Sequence, residues 1–188
     1  MENTCLSEQI IKTAKDCGAY AVGLIATSAL TVYSEVRDMC KMNTCGGYGT
    51  SWACPPGVGP IEECLAKVKQ YDTMLLFSCK YDLEDSFDYE SMMAGMEAFK
   101  KTASDFDKAL KCKLHPYLLL ANEGCQKCKA CTYPDAPCRF PDELHASIEA
   151  YGFNVSELAR MAGIKYINGA NTVPYFGALC FNQVYIDR

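Results

Sequence analysis

Cys125, Cys128 and Cys131 stand at Cys-x-x-Cys-x-x-Cys spacing, and Cys138 follows inside Pro137-Cys138-Arg139. No other feature restricts the chain so tightly. Three thiols separated by two-residue gaps can turn inward together around a single bound object. Gaps of this length match the corners of an iron–sulfur cube, as in bacterial ferredoxins. Zinc sites more often pair two Cys-x-x-Cys knuckles, or one knuckle with histidines, across a wider interval. A third cysteine only three positions after the second is awkward for a zinc tetrahedron. Free cysteine is ordinarily a small buried hydrophobe, and this spacing argues against that reading here.

Thirteen of the 188 residues are cysteine. That is well above common usage, yet short of the roughly 8–10 % that marks small disulfide scaffolds. A disulfide framework fits poorly. The cysteine number is odd, residues 1–30 lack the basic, apolar and small-residue regions of a secretory leader, and the length suffices for a core without staples. Reduced, cytosolic thiols that hold metal are the expectation, and an oxygen-sensitive cluster suits an anaerobic host. The net charge of −5 and only four arginines leave no basic stripe for nucleic acid. No apolar run reaches the roughly 18 residues of a membrane span.

Hydrophobic periodicity alternates between helix and strand. Helices are expected over residues 4–16, 60–71, 91–111, 147–151 and 155–162, and strands over 19–25, 73–78, 116–121 and 175–181. The pattern predicts an α/β fold: a single domain over residues 1–188, with a central mixed sheet flanked by helices. Two cysteine-rich stretches, 39–60 and 123–141, fall outside these elements. They are rich in Gly, Pro, Thr and Asn and too long for simple connections, so they read as metal-binding loops. The methionines at 92, 93 and 96 lie on a helix face and read as core.

The first loop carries Cys40, Cys45 and Cys54, with Gly46, Gly47 and Gly49 between them and Pro55 and Pro56 after them. Such glycines let the backbone pass close to a bulky ligand and aim N–H groups at it. Seven cysteines therefore occupy motif-like settings: Cys40, Cys45, Cys54, Cys125, Cys128, Cys131 and Cys138. Two complete cubane clusters take eight ligands and one takes four. One assignment gives Cys125, Cys128, Cys131 and either Cys54 or Cys138 to a first cluster. The other three thiols then leave an open iron or recruit an eighth thiolate. Cys180 and Cys64 are the foremost candidates for the eighth, Cys79 and Cys112 the weaker ones, whereas Cys5 and Cys17 read as core or surface thiols.

The neighbouring side chains have two readings each. Arg37 and Arg139 either offset thiolate charge or are plain surface residues. Trp52 either shields a cluster or anchors its loop. Tyr48, Tyr133 and Tyr151 are proton donors or packing residues. His145 lies near enough to Cys138 in sequence to ligate metal or move a proton, and His115 reads as structural. GGYG and PPGVG lack the lysine and helix opening of a phosphate loop.

Together these motifs resemble an uncharacterised, cysteine-rich family of predicted metal-binding proteins with a domain of unknown function, found largely in anaerobic bacteria and archaea. The likeness rests on Cys40-x4-Cys45-x-x-Tyr48-Gly49-x-x-Trp52-x-Cys54-Pro55-Pro56, on Gly124-Cys125-x-x-Cys128-x-x-Cys131, and on Pro137-Cys138-Arg139-x-Pro141. Ser147-x-Glu149-Ala150-x-Gly152 and Asn168-Gly169-x-Asn171-Thr172-Val173 extend it. It implies metal or cluster binding at the seven cysteines and names no reaction. Residues 10–26 are similar to the opening helix and strand of epoxyqueuosine reductases and related corrinoid-dependent dehalogenases. That likeness implies two 4Fe–4S clusters and a corrinoid.

The expected protein is thus a cytoplasmic iron–sulfur protein with one or two 4Fe–4S clusters, acting with a redox partner protein in electron transfer or low-potential reduction. The alternatives are a catalyst with an open cluster iron or a corrinoid, and a zinc-binding or metal-trafficking module.

Overall fold

Met74, Leu75, Leu76 and Phe77 have no exposed surface in the computed structural model, which describes residues 5–121, 125 and 127–183. They belong to a strand over Thr73–Asp82. In a strand, successive side chains point to opposite faces. An unbroken apolar run therefore demands cover on both sides. Strand β1 (Ala21–Ala26), this central strand β2, β3 (Leu118–Leu120) and β4 (Thr172–Phe181) form one sheet in the order β1-β2-β4-β3. The elements of a sheet flanked by helices are present as expected. All three pairings are antiparallel, however, where a mixed sheet was expected. Alternating helix and strand does not by itself impose crossover connections that return a strand parallel to its neighbour.

Among the described residues there are five α-helices, α1 (Leu6–Asp16), α2 (Ser34–Lys41), α3 (Ile61–Val68), α4 (Tyr89–Lys111) and α5 (Val155–Met161), and all but α2 cover the sheet faces. Ile10 and Ala14 of α1 join Phe99, Phe106 and Leu110 of α4 over Leu75, Phe77, Leu179 and Phe181. On the other face Cys64 and Val68 of α3 and Leu158 and Ala159 of α5 meet Met74, Leu76, Ala178 and Cys180. Helix α4 begins two residues before its expected start because the Asp88 side chain accepts the Ser91 N–H at 3.0 Å, an N-cap bond. Asn154 caps α5 through the N–H groups of Ser156 and Glu157. Residues 147–151, expected as a helix, contain only a 3₁₀ turn over Glu149–Tyr151. Thr4, Glu123, Gly124 and Gln126, which fall within the expected first helix and second loop, lie outside the described residues. Among the described residues no helix is long and apolar enough to cross a membrane.

Helix α2 is absent from the sequence expectation. Its apolar positions, Val36, Met39 and Cys40, cover barely two turns and none of its residues is buried, so the pattern is too short to mark a helix. Its place in the fold is set by hydrogen bonds instead. Arg37 donates to the Ala150 carbonyl at 2.6 Å and to the Gly59 carbonyl at 2.8 Å. Cys40 consequently lies on the last turn of a helix and not in an open loop.

Phe77 sits directly opposite Gly177 on β4. A Cβ at Gly177 would lie 2.3 Å from the Phe77 ring, so only glycine allows the ring to cross the strand. The ring then stacks on Phe99 at 5.9 Å and meets Phe106 edge-on at 5.4 Å. Phe77→Ala should cost about 3–5 kcal/mol of stability, the usual loss for a buried aromatic, measured by chemical denaturation.

Asp107 of α4 is buried. It accepts the Tyr117 hydroxyl at 2.6 Å, pairs with Lys111 at 3.0 Å, and has His145 Nε2 at 3.7 Å. Burial pushes the His145 pKa down, and the Asp107 charge only partly offsets that. The unfolded chain therefore binds the His145 proton more readily than the folded one. Stability on this account is full above about pH 6.5 and falls as the pH drops below it. Denaturation midpoints between pH 7 and 5 should decline less steeply in His145→Gln than in the unsubstituted protein.

Candidate metal centre

Cys40, Cys45 and Cys54 are brought together by a tightly turned loop. Asn43, Gly46 and Gly49 have φ values of 54°, 72° and 71°, the left-handed region that Gly and Asn tolerate best. The Asn43 side chain accepts the Tyr48 N–H at 2.9 Å, closing the turn around Cys45. The Gly49 N–H reaches the Pro55 carbonyl at 2.8 Å. A Cβ on Gly47 would stand 3.2 Å from the Cys54 sulfur and 3.5 Å from the Cys45 sulfur. Any larger residue there would crowd the thiols that the turn collects.

The second loop is fastened to the first through Trp52. Its indole Nε1 donates to the Ala136 carbonyl at 3.0 Å, and its ring meets Tyr133 edge-on at 4.9 Å. The anchoring reading of Trp52 is the one with visible partners. Within the second loop Arg139 donates to the Ala130 carbonyl at 3.0 Å, and Thr132 Oγ1 to Pro137 O at 2.8 Å. Lys127 pairs with Glu143 and lies over the Phe140 ring. The Tyr133 N–H points at the Cys131 sulfur at 3.5 Å, and the Phe140 N–H at the Cys138 sulfur at 3.4 Å.

These contacts set the charge on the thiols. Burial raises Cys131, but the backbone N–H groups of Tyr133, Trp52 and Thr132 and the Arg139 guanidinium outweigh it, and its pKa is lowered. Cys125 is pushed up by burial and by Cys138, Cys128 and Cys131, while the Lys127 N–H opposes them. Cys40 is pushed up by burial and by Glu149, Cys45 and Cys54, with Arg37 acting against. In both sets neighbouring sulfurs thus oppose ionisation. A bound cation reverses that effect and releases the protons.

A cavity of about 630 Å³ joins the two sets. Cys40, Cys45, Cys54, Cys125, Ser147 and Glu149 all border it. A second cavity of about 480 Å³ lies between Trp52, Cys138, Lys67 and Tyr151. Burial holds the Tyr151 hydroxyl at about 12, so it keeps its proton at neutral pH. Among the described residues no three Cys, His, Asp or Glu side chains close around a single ion. One zinc with Zn–S bonds of about 2.3 Å gathers its thiolates onto one point, whereas a cubane takes each on a different iron. All-thiol donors with N–H groups aimed at sulfur fit a cluster.

Cys180 does not join these residues. It lies on β4, opposite Met74 and Leu118, with no exposed surface, and burial pushes its thiol up to about 12. The structure thus places Cys180 in the core, where burial favours the protonated thiol, and not among the residues that border either cavity. Cys64 is equally buried, with its sulfur near the Val58 carbonyl. Cys79 packs near the Gly18 carbonyl, while Cys5, Cys17 and Cys112 flank α1 and α4. His145 faces Asp107. Glu149 is the residue whose place at the site the sequence reading did not anticipate. Its signal was a Ser-x-Glu run that also reads as an ordinary helix start.

The family model described as "Predicted metal-binding protein (DUF2284)" matches residues 23–181. No curated protein matches the sequence. Among solved structures, epoxyqueuosine reductase from Bacillus subtilis is 12% identical, with a TM-score of 0.44 over 94% of this chain and 45% of that one. The Streptococcus thermophilus enzyme is 13% identical, with a TM-score of 0.42 over 93% and 45%. The chain spans less than half the length of these structures.

Substitution separates the site cysteines from the core ones. Cys180→Ala should keep the metal content of the unsubstituted protein while lowering its denaturation midpoint. Cys131→Ser should lose metal, as read by elemental analysis of anaerobically purified protein. Metal loss in Cys180→Ala would return Cys180 to the ligand set.

Proposed function

This chain belongs to the DUF2284 family of predicted metal-binding proteins, and from that premise we propose that it carries 4Fe–4S clusters at two thiol sets and serves electron transfer or low-potential reduction. The observation that carries this reading is the position of Cys125. It borders the cavity of Cys40, Cys45 and Cys54, and its thiol also senses Cys128, Cys131 and Cys138. Two soft-donor sets that share a boundary suit a pair of redox centres better than two separate structural ions.

Clusters held in this way supply one-electron transfer at low potential. The residues around them set how favourable that is. The N–H groups of Tyr133 and Phe140 stabilise charge on the Cys131 and Cys138 sulfurs, and such bonds raise the potential. Arg37 offsets charge at Cys40, and Arg139 does so at Cys131. Trp52 keeps the two loops in contact, which holds the two thiol sets at a constant separation. Cys45 is exposed and the other six thiols are half-buried, so electrons can arrive from a redox partner protein. Thirteen cysteines in 188 residues suit a reducing, cytosolic compartment.

Iron, acid-labile sulfide and zinc per chain, measured after anaerobic purification, test the reading. About eight irons with matching sulfide are expected, with visible absorbance that bleaches on adding dithionite. Zinc without sulfide would replace the redox assignment with a structural or trafficking one.

A further inference from the structure

Seven cysteines lie in the two loops, one short of the eight that two cubanes take. The shortfall falls on the first loop. Cys125, Cys128, Cys131 and Cys138 lie within one loop and act on one another, which makes a complete set of four. Cys40, Cys45 and Cys54 are then three donors facing the cavity. The two buried thiols that might have made up the number, Cys64 and Cys180, are packed in the core.

Glu149 stands where a fourth donor is needed. It borders the same cavity as the three thiols. It opens the 3₁₀ turn whose Ala150 carbonyl is held by Arg37 at 2.6 Å, and Arg37 lies on α2, whose last turn carries Cys40. The Tyr33 N–H, at the start of that helix, holds the Gly152 carbonyl of the same turn at 2.8 Å. The turn that bears Glu149 is therefore tied at two carbonyls to the helix that bears Cys40. Resting on the cluster reading above, we propose that Glu149 is the exchangeable oxygen donor of a three-cysteine centre at Cys40, Cys45 and Cys54, and that a small carboxylate or hydroxycarboxylate takes its place from the cavity.

The chemistry of the walls agrees with that class of ligand. A carboxylate is a harder donor than thiolate and binds a soft thiolate-rich centre less firmly. One carboxylate replacing another leaves the charge on the centre unchanged. Tyr48, Thr50 and Ser51 bring hydroxyl groups to the cavity, and Val36 and Met42 bring apolar surface. About 630 Å³ lies within the range of small-molecule sites, roughly 300–1,000 Å³.

The test uses anaerobically purified holoprotein with Glu149→Gln and Glu149→Cys beside it, read by iron content and by electron paramagnetic resonance with glycolate as probe. In the unsubstituted protein glycolate should shift one of two cluster signals. Glu149→Gln should lose about one iron of the eight from the first-loop centre and leave the other signal intact. Glu149→Cys should keep its iron and no longer respond to glycolate. Full iron and unchanged spectra in Glu149→Gln would overturn the assignment, as would a signal in the unsubstituted protein that glycolate leaves unmoved. Absence of iron and sulfide from the unsubstituted protein would instead overturn the cluster reading on which it rests.

Discussion

Residues 73–79 of β2 are buried without a break, and their backbone groups find partners because β1 and β4 pair along both edges. A strand desolvated on both faces needs two layers of cover. The apolar stripes of α1 and α4 supply one layer, and α3, α5 and the Glu149–Tyr151 turn supply the other. The same turn that closes the core also presents Glu149 to the thiols. Packing of the sheet and geometry of the site are therefore linked through a few residues.

The cysteine loops obtain their order differently. They contribute little to the core, and their backbones are held by single bonds: Asn43 to Tyr48, Gly49 to Pro55, Trp52 to Ala136, Arg139 to Ala130. Each such bond contributes only about 0.5–1.5 kcal/mol net. Burial and neighbouring sulfurs keep Cys40 and Cys125 protonated. A bound metal centre displaces those protons and adds ligand bonds, so in these loops binding and ordering are coupled.

Most of the elements were legible because their signals are local. The apolar run of β2, the stripe of α4 and the spacing of Cys125, Cys128 and Cys131 all lie within a few turns of chain. Helix α2 was not legible, since its apolar stripe spans only eight residues and it is held by Arg37 reaching Gly59 and Ala150, far along the chain. The start of β4 at Thr172 was hidden by Pro174, which breaks strand patterns. The structure accommodates it because β3 reaches only from Cys180 to Ala178, so at Pro174 β2 is the one partner among the described residues.

Two cysteine-rich stretches interrupting an α/β chain, one with thiols at two-residue gaps, were readable from the sequence alone. Spacing along a backbone is enough for that, because neighbours in sequence cannot move far apart. It did not decide which distant residues complete the site. Cys180 and Glu149 are both remote from the first loop in sequence, and one ends in the core while the other reaches the cavity. Strand register buried the cysteine, and the Arg37 ties brought in the carboxylate. Both outcomes depend on how the layers pack, and no local pattern encodes that.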